Sequence, residues 1–280
     1  MTWPTPGRYD ATYTRAWKHG LAIVAIIPAR FGSTRLPGKP LSDIHGKPMI
    51  QHVHERVLRA RGLDRVLVAT DDERIAAAVR GFGGEAVMTS TAHATGTDRL
   101  AEAVLRTDAA IVVNVQGDEP MVDPEGIEAA LRPLRDDADL PMSTLSLPLT
   151  DVEEMLSPAV VKVVADARGN ALYFSRSAIP HVRQATSDPR GAAADAVRRR
   201  LARKHVGLYV YRREALLRLA SLPPAPLEEA EGLEQLRALF HGMAIRVVPV
   251  EGESGVAVDT PQDLERVRAL LSPDGPGQRK

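Results

Sequence analysis

The sequence contains no cysteine, and this absence excludes a disulfide framework, thiolate metal ligands and a cysteine nucleophile. It has no excess of either charge, since 36 basic side chains balance 36 acidic ones, so no overall positive field attracts nucleic acid or an anionic membrane. No apolar run approaches the ~18 residues that a membrane-spanning helix needs. Residues 1–20 carry charges and prolines where a signal peptide needs an apolar stretch. We therefore expect a cytoplasmic protein that neither binds nucleic acid nor inserts into a membrane.

The composition is that of an ordinary globular protein, with 44% hydrophobic and 26% charged residues among 280. Short apolar runs alternate with helical patterns, and the runs at 21–27, 65–70 and 109–116 predict strands that are buried on both faces. This alternation predicts an α/β fold with a mostly parallel central sheet and helices on both faces.

No linker rich in proline, glycine or serine divides the chain, so we expect a single domain over residues 21–271. Residues 1–20 are interpreted as an N-terminal extension and residues 272–280 as a disordered tail. The second half is less regular, and its pattern predicts a mobile excursion over 184–203 and a continuous helix over 229–240.

The segment richest in chemistry follows the first strand and reads IIPARFGSTRLPGKPL over residues 26–41. In open α/β sheets, ligands bind beyond the carboxyl ends of the strands, where this loop begins. Glycine lets backbone N–H groups approach an anion, and arginine and lysine bind phosphate oxygens. The cations, hydroxyls and glycines of the loop are Arg30, Arg35, Lys39, Ser33, Thr34, Gly32 and Gly38. This combination favours a phosphate-binding loop over the alternative of a solvated strand-to-helix connection.

Two familiar phosphate-binding motifs do not fit this loop. In a Walker A loop four residues separate the first glycine from the Gly-Lys pair, whereas five lie between Gly32 and Gly38, and Pro40 follows the lysine. The dinucleotide-binding pattern G-x-G-x-x-G is absent, because the glycines at 81, 83 and 84 come at a predicted helix end. Neither of these two motifs therefore describes the loop.

The same loop resembles the opening of the 3-deoxy-manno-octulosonate (Kdo) cytidylyltransferases. The resemblance continues in order along residues 22–270 through blocks that read VATDDERI, HATGTDRLAE, VNVQGDEPMV, ALYFSRSAIP, KHVGLYVYR, PLEEAEGLEQLR and VDTPQDLERVR. It implies a fold of the nucleotide-diphospho-sugar transferase (GT-A, Rossmann-like) type, and transfer of CMP from CTP to the anomeric hydroxyl of Kdo with release of pyrophosphate. It also implies a Mg²⁺ requirement, a homodimer, and a product, CMP-Kdo, that serves lipopolysaccharide synthesis.

By this resemblance the loop holds the triphosphate of CTP, and two aspartates bind the metal. The triphosphate residues implied are Arg30, Ser33, Arg35 and Lys39. Arg30 and Lys39 are also expected to be catalytic, together with Asp118. Asp118 and Asp259 are the expected Mg²⁺ ligands, since Mg²⁺ takes one or two carboxylates besides phosphate oxygens. Each aspartate also has a simpler interpretation: Asp118 as a turn residue, and Asp259 as part of a helix start before Pro261.

The resemblance also assigns the base and the sugar. Gly96, Arg99 and Gln116 are expected to bind the cytidine part of CTP, although Thr97 or Asp98 in the same segment has the alternative role of capping a helix. The sugar residues implied are Arg176, His205, Tyr209, Glu228, Glu231, Glu234 and Gln235. Three-residue steps between the glutamates allow neighbours to share a helix face. The alternatives are a solvated acidic face for the glutamates and a structural role for the histidine; residues 198–200 with Arg203 are interpreted as a solvated helix face.

Two positions depart from the family pattern: Thr95 stands where serine is usual, and Ala257 where a glycine precedes Val-Asp. Two other functions compete with Kdo activation, namely a cytidylyltransferase for another acidic sugar (amino-Kdo or a sialic-acid-like substrate) and a non-catalytic CTP-binding regulator. Fold alone never decides activity, but a sensor would not need both aspartates beside Arg30 and Lys39. The sequence thus favours the enzyme.

Overall fold

The protein is described by a computed structural model, which covers residues 22–32, 35–93, 95–183, 188–252 and 255–272. The expected extension over 1–20, Ser33 of the loop and residues 273–280 of the expected tail lie outside these ranges. Within the described ranges, no helix combines the length and the apolar character needed to cross a membrane.

A nine-stranded sheet forms the middle of the fold. In chain order, the strands of this sheet and of a separate two-stranded hairpin are β1 (Ile23–Ala29), β2 (Asp43–Ile44), β3 (Lys47–Pro48), β4 (Arg65–Thr70), β5 (Glu85–Met88), β6 (Ile111–Asn114), β7 (Met142–Pro148), β8 (Lys162–Ala165), β9 (Ala171–Ser175), β10 (Arg203–Arg212) and β11 (Ile245–Pro249). Seven of them follow the order β11-β7-β10-β6-β1-β4-β5, while β8 joins beside β10 and carries β9, and β2 and β3 form a separate hairpin. In that order β10 runs against its neighbours and the other strands share one direction. The predicted mostly parallel central sheet is confirmed.

Helices cover both faces of the sheet. They are α1 (Met49–Val57), α2 (Glu73–Gly81), α3 (Gly96–Val104), α4 (Pro124–Asp136), α5 (Val152–Leu156), α6 (Pro189–Arg198), α7 (Arg213–Ser221), α8 (Pro226–Glu231), α9 (Gln235–Phe240) and α10 (Pro261–Leu271). Side chains of α1, α2 and α4 share one core with Ala25 and Ile27 of β1, and those of α3, α7 and α9 share a second core with Val24 and Ile26. Because all four β1 residues are fully buried, the apolar run reads without alternation.

The prediction of one continuous helix over 229–240 is wrong, because the chain forms two short helices there, α8 and α9. Gly232 ends α8 with φ 62° and ψ 42°, a left-handed conformation that costs glycine little and other residues more. The break turns the chain, so Glu228 and Glu231 on α8 do not share a helix face with Glu234 and Gln235 beyond it.

The start of α3 also differs from the prediction, because neither Thr97 nor Asp98 is the capping residue. Thr95 is the N-cap: its hydroxyl accepts from the Asp98 amide, and the Asp98 carboxylate accepts from the Thr95 amide. This reciprocal arrangement satisfies two otherwise unpaired N–H groups. Since threonine keeps the hydroxyl, the cap is built without the serine that is usual in the family.

The predicted excursion over 184–203 is largely regular structure, although 184–187 lie outside the described residues. Helix α6 buries an alanine stripe, Ala192, Ala193 and Ala196, at helical spacing. Residues 198–200 are exposed as predicted. Arg203 is not on that helix face: it begins β10, and its guanidinium donates to Ser146 and the Val250 carbonyl.

Candidate active site

A polar cleft lies at the sheet edge where β1 and β6 end. Its walls come from the loop after β1, the residues after β6, the start of α3, and the segments before α9 and α10. The lining residues are Pro28, Ala29, Arg30, Arg35, Lys39, Pro40, His93, Thr95, Gly96, Arg99, Gln116, Gly117, Asp118, Glu234 and Asp259. The cleft therefore brings together both expected metal ligands, the described cations of the loop, the expected cytidine residues and one of the glutamates assigned to the sugar.

The loop after β1 is closed by Phe31 and Gly38. The Gly38 amide donates to the Phe31 carbonyl (3.1 Å), and Gly38 has φ 68°, which favours glycine. A Cβ at this glycine would lie 3.1 Å from the Phe31 ring. On the ring, the Arg74 guanidinium of α2 stacks 3.4 Å from the centroid, and Asp72 holds that guanidinium through both carboxylate oxygens. The stacked Phe31 ring thus lies against Gly38 at the end of the loop. The residue after Gly38 is Lys39, which lines the cleft.

The Lys39 ammonium lies between the two aspartates. Its Nζ is 2.6 Å from Asp118 Oδ2 and 3.2 Å from Asp259 Oδ1. Arg35 also reaches the second carboxylate, with Nη2 3.0 Å from Asp259 Oδ1. The lysine side chain is 14% exposed, whereas the arginine is 63% exposed. Two carboxylates from distant parts of the sequence thus converge on one cation.

Backbone contacts fix both carboxylates. The Val258 amide donates to the Asp118 carbonyl (2.9 Å), which ties the segment before α10 to the residues after β6. Gly117 lets the residues after β6 pass close to the end of β1, because a Cβ there would lie 2.6 Å from the Pro28 carbonyl oxygen. Thr260 caps α10 in a reciprocal pair with Asp263. The predicted helix start is confirmed, and because Thr260 makes the cap, the Asp259 carboxylate is left to face the cleft.

This donor set fits a hard divalent cation. Two carboxylates that contact the same ammonium are close enough to bind the same metal ion, and their oxygens are the ligands that Mg²⁺ prefers. No group of three or more His, Cys, Asp or Glu residues that could hold a metal occurs in the described ranges. A metal at this place would therefore complete its coordination with water and substrate phosphate oxygens, which is usual for Mg²⁺.

The expected cytidine residues also line the cleft. Gly96 opens α3, and Gln116 donates weakly from Nε2 to the Gly207 carbonyl (3.5 Å). Arg99 is only 4% exposed, and its guanidinium donates to Thr89 Oγ1 and to Asp71 Oδ2. The charge of this arginine is thus already paired within the protein. It shapes the wall more than it supplies a free cation.

The expected sugar residues divide into two groups. In the first, Glu234 lines the cleft, whereas Gln235, Tyr209 and His205 lie behind its lining residues. Glu234 accepts from Thr97 Oγ1 (2.7 Å), and burial raises the pKa of its carboxyl, which that hydrogen bond partly offsets. The adjacent Gln235 is buried, and its Nε2 has no hydrogen-bond partner among the described residues. Burial also raises the pKa of Tyr209, with a contribution from the Glu234 charge. His205 packs 5.5 Å from the Tyr209 ring.

The second group does not line the cleft, because its polar atoms are engaged elsewhere. Both oxygens of Glu228 accept from the Arg237 guanidinium (2.8 and 2.5 Å), and the Ala225 amide donates to one of them. Burial opposes the charge of Glu228, but these hydrogen bonds outweigh it and lower the pKa. Glu231 accepts from Ser175 Oγ and the Arg176 amide, while Arg176 donates to backbone carbonyls of Glu231 and Pro158. These residues connect elements around the site.

The chain is similar to known cytidylyltransferases over most of its length. The family model described as Cytidylyltransferase matches residues 24–245. The 3-deoxy-manno-octulosonate cytidylyltransferases of Syntrophotalea carbinolica and Geobacter sulfurreducens are 56% and 57% identical to it, over 90% and 89% of this chain and 99% of each relative. This chain belongs to that family. A solved CMP:2-keto-3-deoxy-manno-octonic acid synthetase complexed with CTP matches at 48% identity and a TM-score of 0.81, over 89% of this chain and 98% of that one.

Two polar residues beside the site of this cytidylyltransferase were not predicted. Burial, together with a smaller contribution from the neighbouring Asp118 carboxylate, raises the pKa of Glu119 to about 7; the consecutive acids in QGDEP are the signal for it. Thr144 is fully buried in the middle of β7 and hydrogen bonds with His205. Its signal is weaker, because a threonine inside an apolar run is an ordinary strand residue.

Proposed function

We propose that this nucleotidyltransferase transfers the cytidylyl group of CTP to the anomeric hydroxyl of Kdo and releases pyrophosphate. The observation that carries the proposal is the contact of Lys39 with both Asp118 and Asp259 at the carboxyl ends of the strands. A lysine and two carboxylates there can act together on a triphosphate, because phosphoryl-group transfer depends on positioning and charge neutralisation more than on an enzyme nucleophile.

The reaction needs little covalent chemistry from the protein. The anomeric oxygen bonds to the α-phosphorus, the bond from that phosphorus to the bridging oxygen of the β-phosphate breaks, and the hydroxyl proton is released. Arg30, Arg35 and Lys39 hold the triphosphate, with Ser33 assigned to the same task by resemblance. Arg30 and Lys39 also stabilise charge that develops on the phosphate oxygens. Losing one such contact typically costs ~3 kcal/mol, or about a hundredfold in rate.

Mg²⁺ is the cofactor in this proposal, and Asp118 and Asp259 would hold it. When bound, it supplies positive charge to phosphate oxygens of the nucleotide. In this proposal the Lys39 ammonium leaves the two carboxylates, which it contacts in the structure, and binds phosphate oxygens when the nucleotide enters. Support for this assignment is the convergence of two partly exposed carboxylates, 30% and 43% exposed, in the cleft that contains the loop cations.

The sugar binds beside Glu234 and Gln235 in this proposal. A buried amide donor without a partner costs stability unless a ligand supplies an acceptor, and Gln235 Nε2 is such a donor. A hydroxyl or carboxylate oxygen of an acidic sugar fits it. Glu234, Tyr209 and His205 add hydrogen-bonding groups on the same side. On the nucleotide side, Gly96, Gln116 and the wall shaped by Arg99 receive the cytidine.

We also propose a homodimer, a cytoplasmic location and a product used for lipopolysaccharide synthesis, all by the family resemblance. The β8–β9 pair supports the dimer, because Leu172 on β9 is 62% exposed on a strand at the margin of the sheet. Light scattering of the intact chain and of Leu172→Glu tests it. A dimer that the substitution dissociates is expected, and a monomeric wild-type chain would contradict the assignment.

The experiment that tests the function is pyrophosphate release from CTP and Mg²⁺, with Kdo, amino-Kdo and N-acetylneuraminate as parallel acceptors. Release with Kdo is expected, and it should vanish when the metal is chelated and return when Mg²⁺ is restored. Release with another sugar instead would keep the phosphate side of the site and overturn the acceptor. Tight CTP binding without release in any reaction would favour a regulator.

A further inference from the structure

Strand β10 carries an irregularity beside the sugar side of the cleft. Opposite β7, Val206 pairs with Leu145 but Tyr209 pairs with the adjacent Thr144, so two additional residues, Gly207 and Leu208, sit in the bulge. Bulges free backbone groups from the ladder and redirect side chains, and they occur often beside active sites. The bulge contacts a residue that lines the cleft, because the Gly207 carbonyl accepts from Gln116.

The Thr144 hydroxyl hydrogen bonds with groups at this bulge. Its Oγ1 lies 2.8 Å from the Leu208 carbonyl oxygen, 3.1 Å from the Val206 carbonyl oxygen and 3.0 Å from Nε2 of His205. A hydroxyl has one proton to donate and two lone pairs to accept with. Carbonyl oxygens only accept, so if the proton pointed to the histidine, two oxygen lone pairs would face Oγ1 at these short distances. The proton therefore lies on the carbonyl side, and Oγ1 accepts from Nε2.

The imidazole of His205 then has one defined form. Burial lowers its pKa to about 3, so at neutral pH the ring carries a single N–H. The hydrogen bond to Thr144 places that proton on Nε2 and leaves Nδ1 as an acceptor. No described residue donates to Nδ1. The ring plane is held by the edge contact with Phe174 (5.0 Å between centroids) and by Tyr209.

We propose that Thr144 is a positioning residue that fixes His205 in the Nε2–H tautomer, so that Nδ1 accepts a hydrogen bond from a hydroxyl group of the sugar acceptor. This inference rests on the proposed function for the nature of the ligand, but the tautomer does not depend on it. The consequence is selectivity for a hydroxyl donor, because an analogue without that hydroxyl would shield Nδ1 from water and leave it unpaired.

The first test is nuclear magnetic resonance of the folded full-length protein, labelled with ¹⁵N in its histidine rings and assigned with His205→Gln. The expected spectrum at neutral pH shows a protonated Nε2 and an unprotonated Nδ1 for His205. Thr144→Val has nearly the same shape without the hydroxyl, and should yield a mixture of tautomers, whereas Thr144→Ser should restore the single form. A protonated Nδ1 or a charged ring in the wild type would overturn the proposal even if the valine variant fails to fold.

The second test is kinetic. Thr144→Val should raise the KM for Kdo about tenfold while changing the KM for CTP and kcat less than about threefold, and Thr144→Ser should stay near the wild type. Ser143→Ala is the matched control, because this buried hydroxyl on the same strand donates to the Ala130 carbonyl on the other side of the sheet. A normal KM for Kdo in a valine variant with mixed tautomers would overturn the sugar contact. Turnover with no acidic sugar in any variant, beside the expected spectra, would instead refute the proposed function.

Discussion

The phosphate end of the proposed site (Arg30, Arg35, Lys39, Asp118 and Asp259) and its sugar end (His205, Tyr209, Glu234 and Gln235) hold their polar groups in different ways. At the phosphate end, Arg35 and Asp259 are substantially exposed and pair with groups that are themselves expected to bind substrate or metal. At the sugar end, Glu234 is held by Thr97 and His205 by Thr144, and both partners are buried. Exposed charges that neutralise one another suit an anionic ligand that replaces those pairings. Buried groups in fixed orientations suit a ligand whose hydroxyl pattern must be distinguished.

The largest expected effect is a loss of stability when the Arg237–Glu228 ion pair, which holds elements next to the sugar end, is broken. Arg237→Leu should lower the free energy of unfolding by about 3–5 kcal/mol, because it leaves the buried Glu228 carboxylate without its partner. The double variant Glu228→Leu/Arg237→Leu should recover much of this loss. Urea unfolding measures both, and a single variant as stable as the wild type would show that the sugar end is not fixed in this way.

At the phosphate end we expect lost activity with little lost stability. Asp118→Asn and Asp259→Asn should each reduce kcat at least about a hundredfold, or ~3 kcal/mol, because each removes a carboxylate from the proposed metal site. The fold should be retained, since both side chains are partly exposed. Pyrophosphate release and thermal unfolding are the paired measurements. Near-normal turnover in both variants would contradict the metal assignment.

The pH dependence of stability sharpens the contrast between the ends. Burial lowers the pKa of His205 to about 3, against 6.5 for the free side chain, so protonation favours the unfolded chain. The stabilising contribution is therefore present above about pH 6.5 and is lost as the pH falls toward 3. The wild type should lose about 2–3 kcal/mol more than His205→Gln between pH 6 and pH 4, since each unit is worth about 1.4 kcal/mol. If the free energies of unfolding of the two proteins changed equally with pH, His205 would instead be in a hydrated environment like that of the phosphate end.

The smallest expected effect concerns the stack that anchors the phosphate loop. Arg74→Ala removes the guanidinium from the Phe31 ring, an interaction worth about 1 kcal/mol, and should raise the KM for CTP about fivefold while the KM for Kdo stays constant. Arg80→Ala is the control, because this exposed arginine on the same helix pairs with Glu73. Equal kinetics for the two variants would show that the loop does not depend on the stack.

Which residues lie together was predicted better for the proposed phosphate end than for the proposed sugar end, for a physical reason. Arg30, Lys39 and Asp118 follow strands whose apolar runs are unmistakable, and the carboxyl ends of parallel strands meet at one edge. The sugar residues instead depend on the turn at Gly232 and on the bulge in β10. A glycine can either continue a helix or end it in the left-handed conformation, and two additional residues in a strand leave no periodic signature. The roles of Glu228, Glu231 and Arg176 in holding neighbouring elements follow from contacts between distant segments, which spacing along the chain does not encode.

The contact between Lys39 and Asp259 joins positions 220 apart. During translation, the loop that carries Lys39 is synthesised long before the segment that carries Asp259. A chain that lacks the segment around α10 has only one of the two carboxylates. Formation of the carboxylate pair is in this way coupled to synthesis of the segment before α10, so a chain without that segment should not consume CTP.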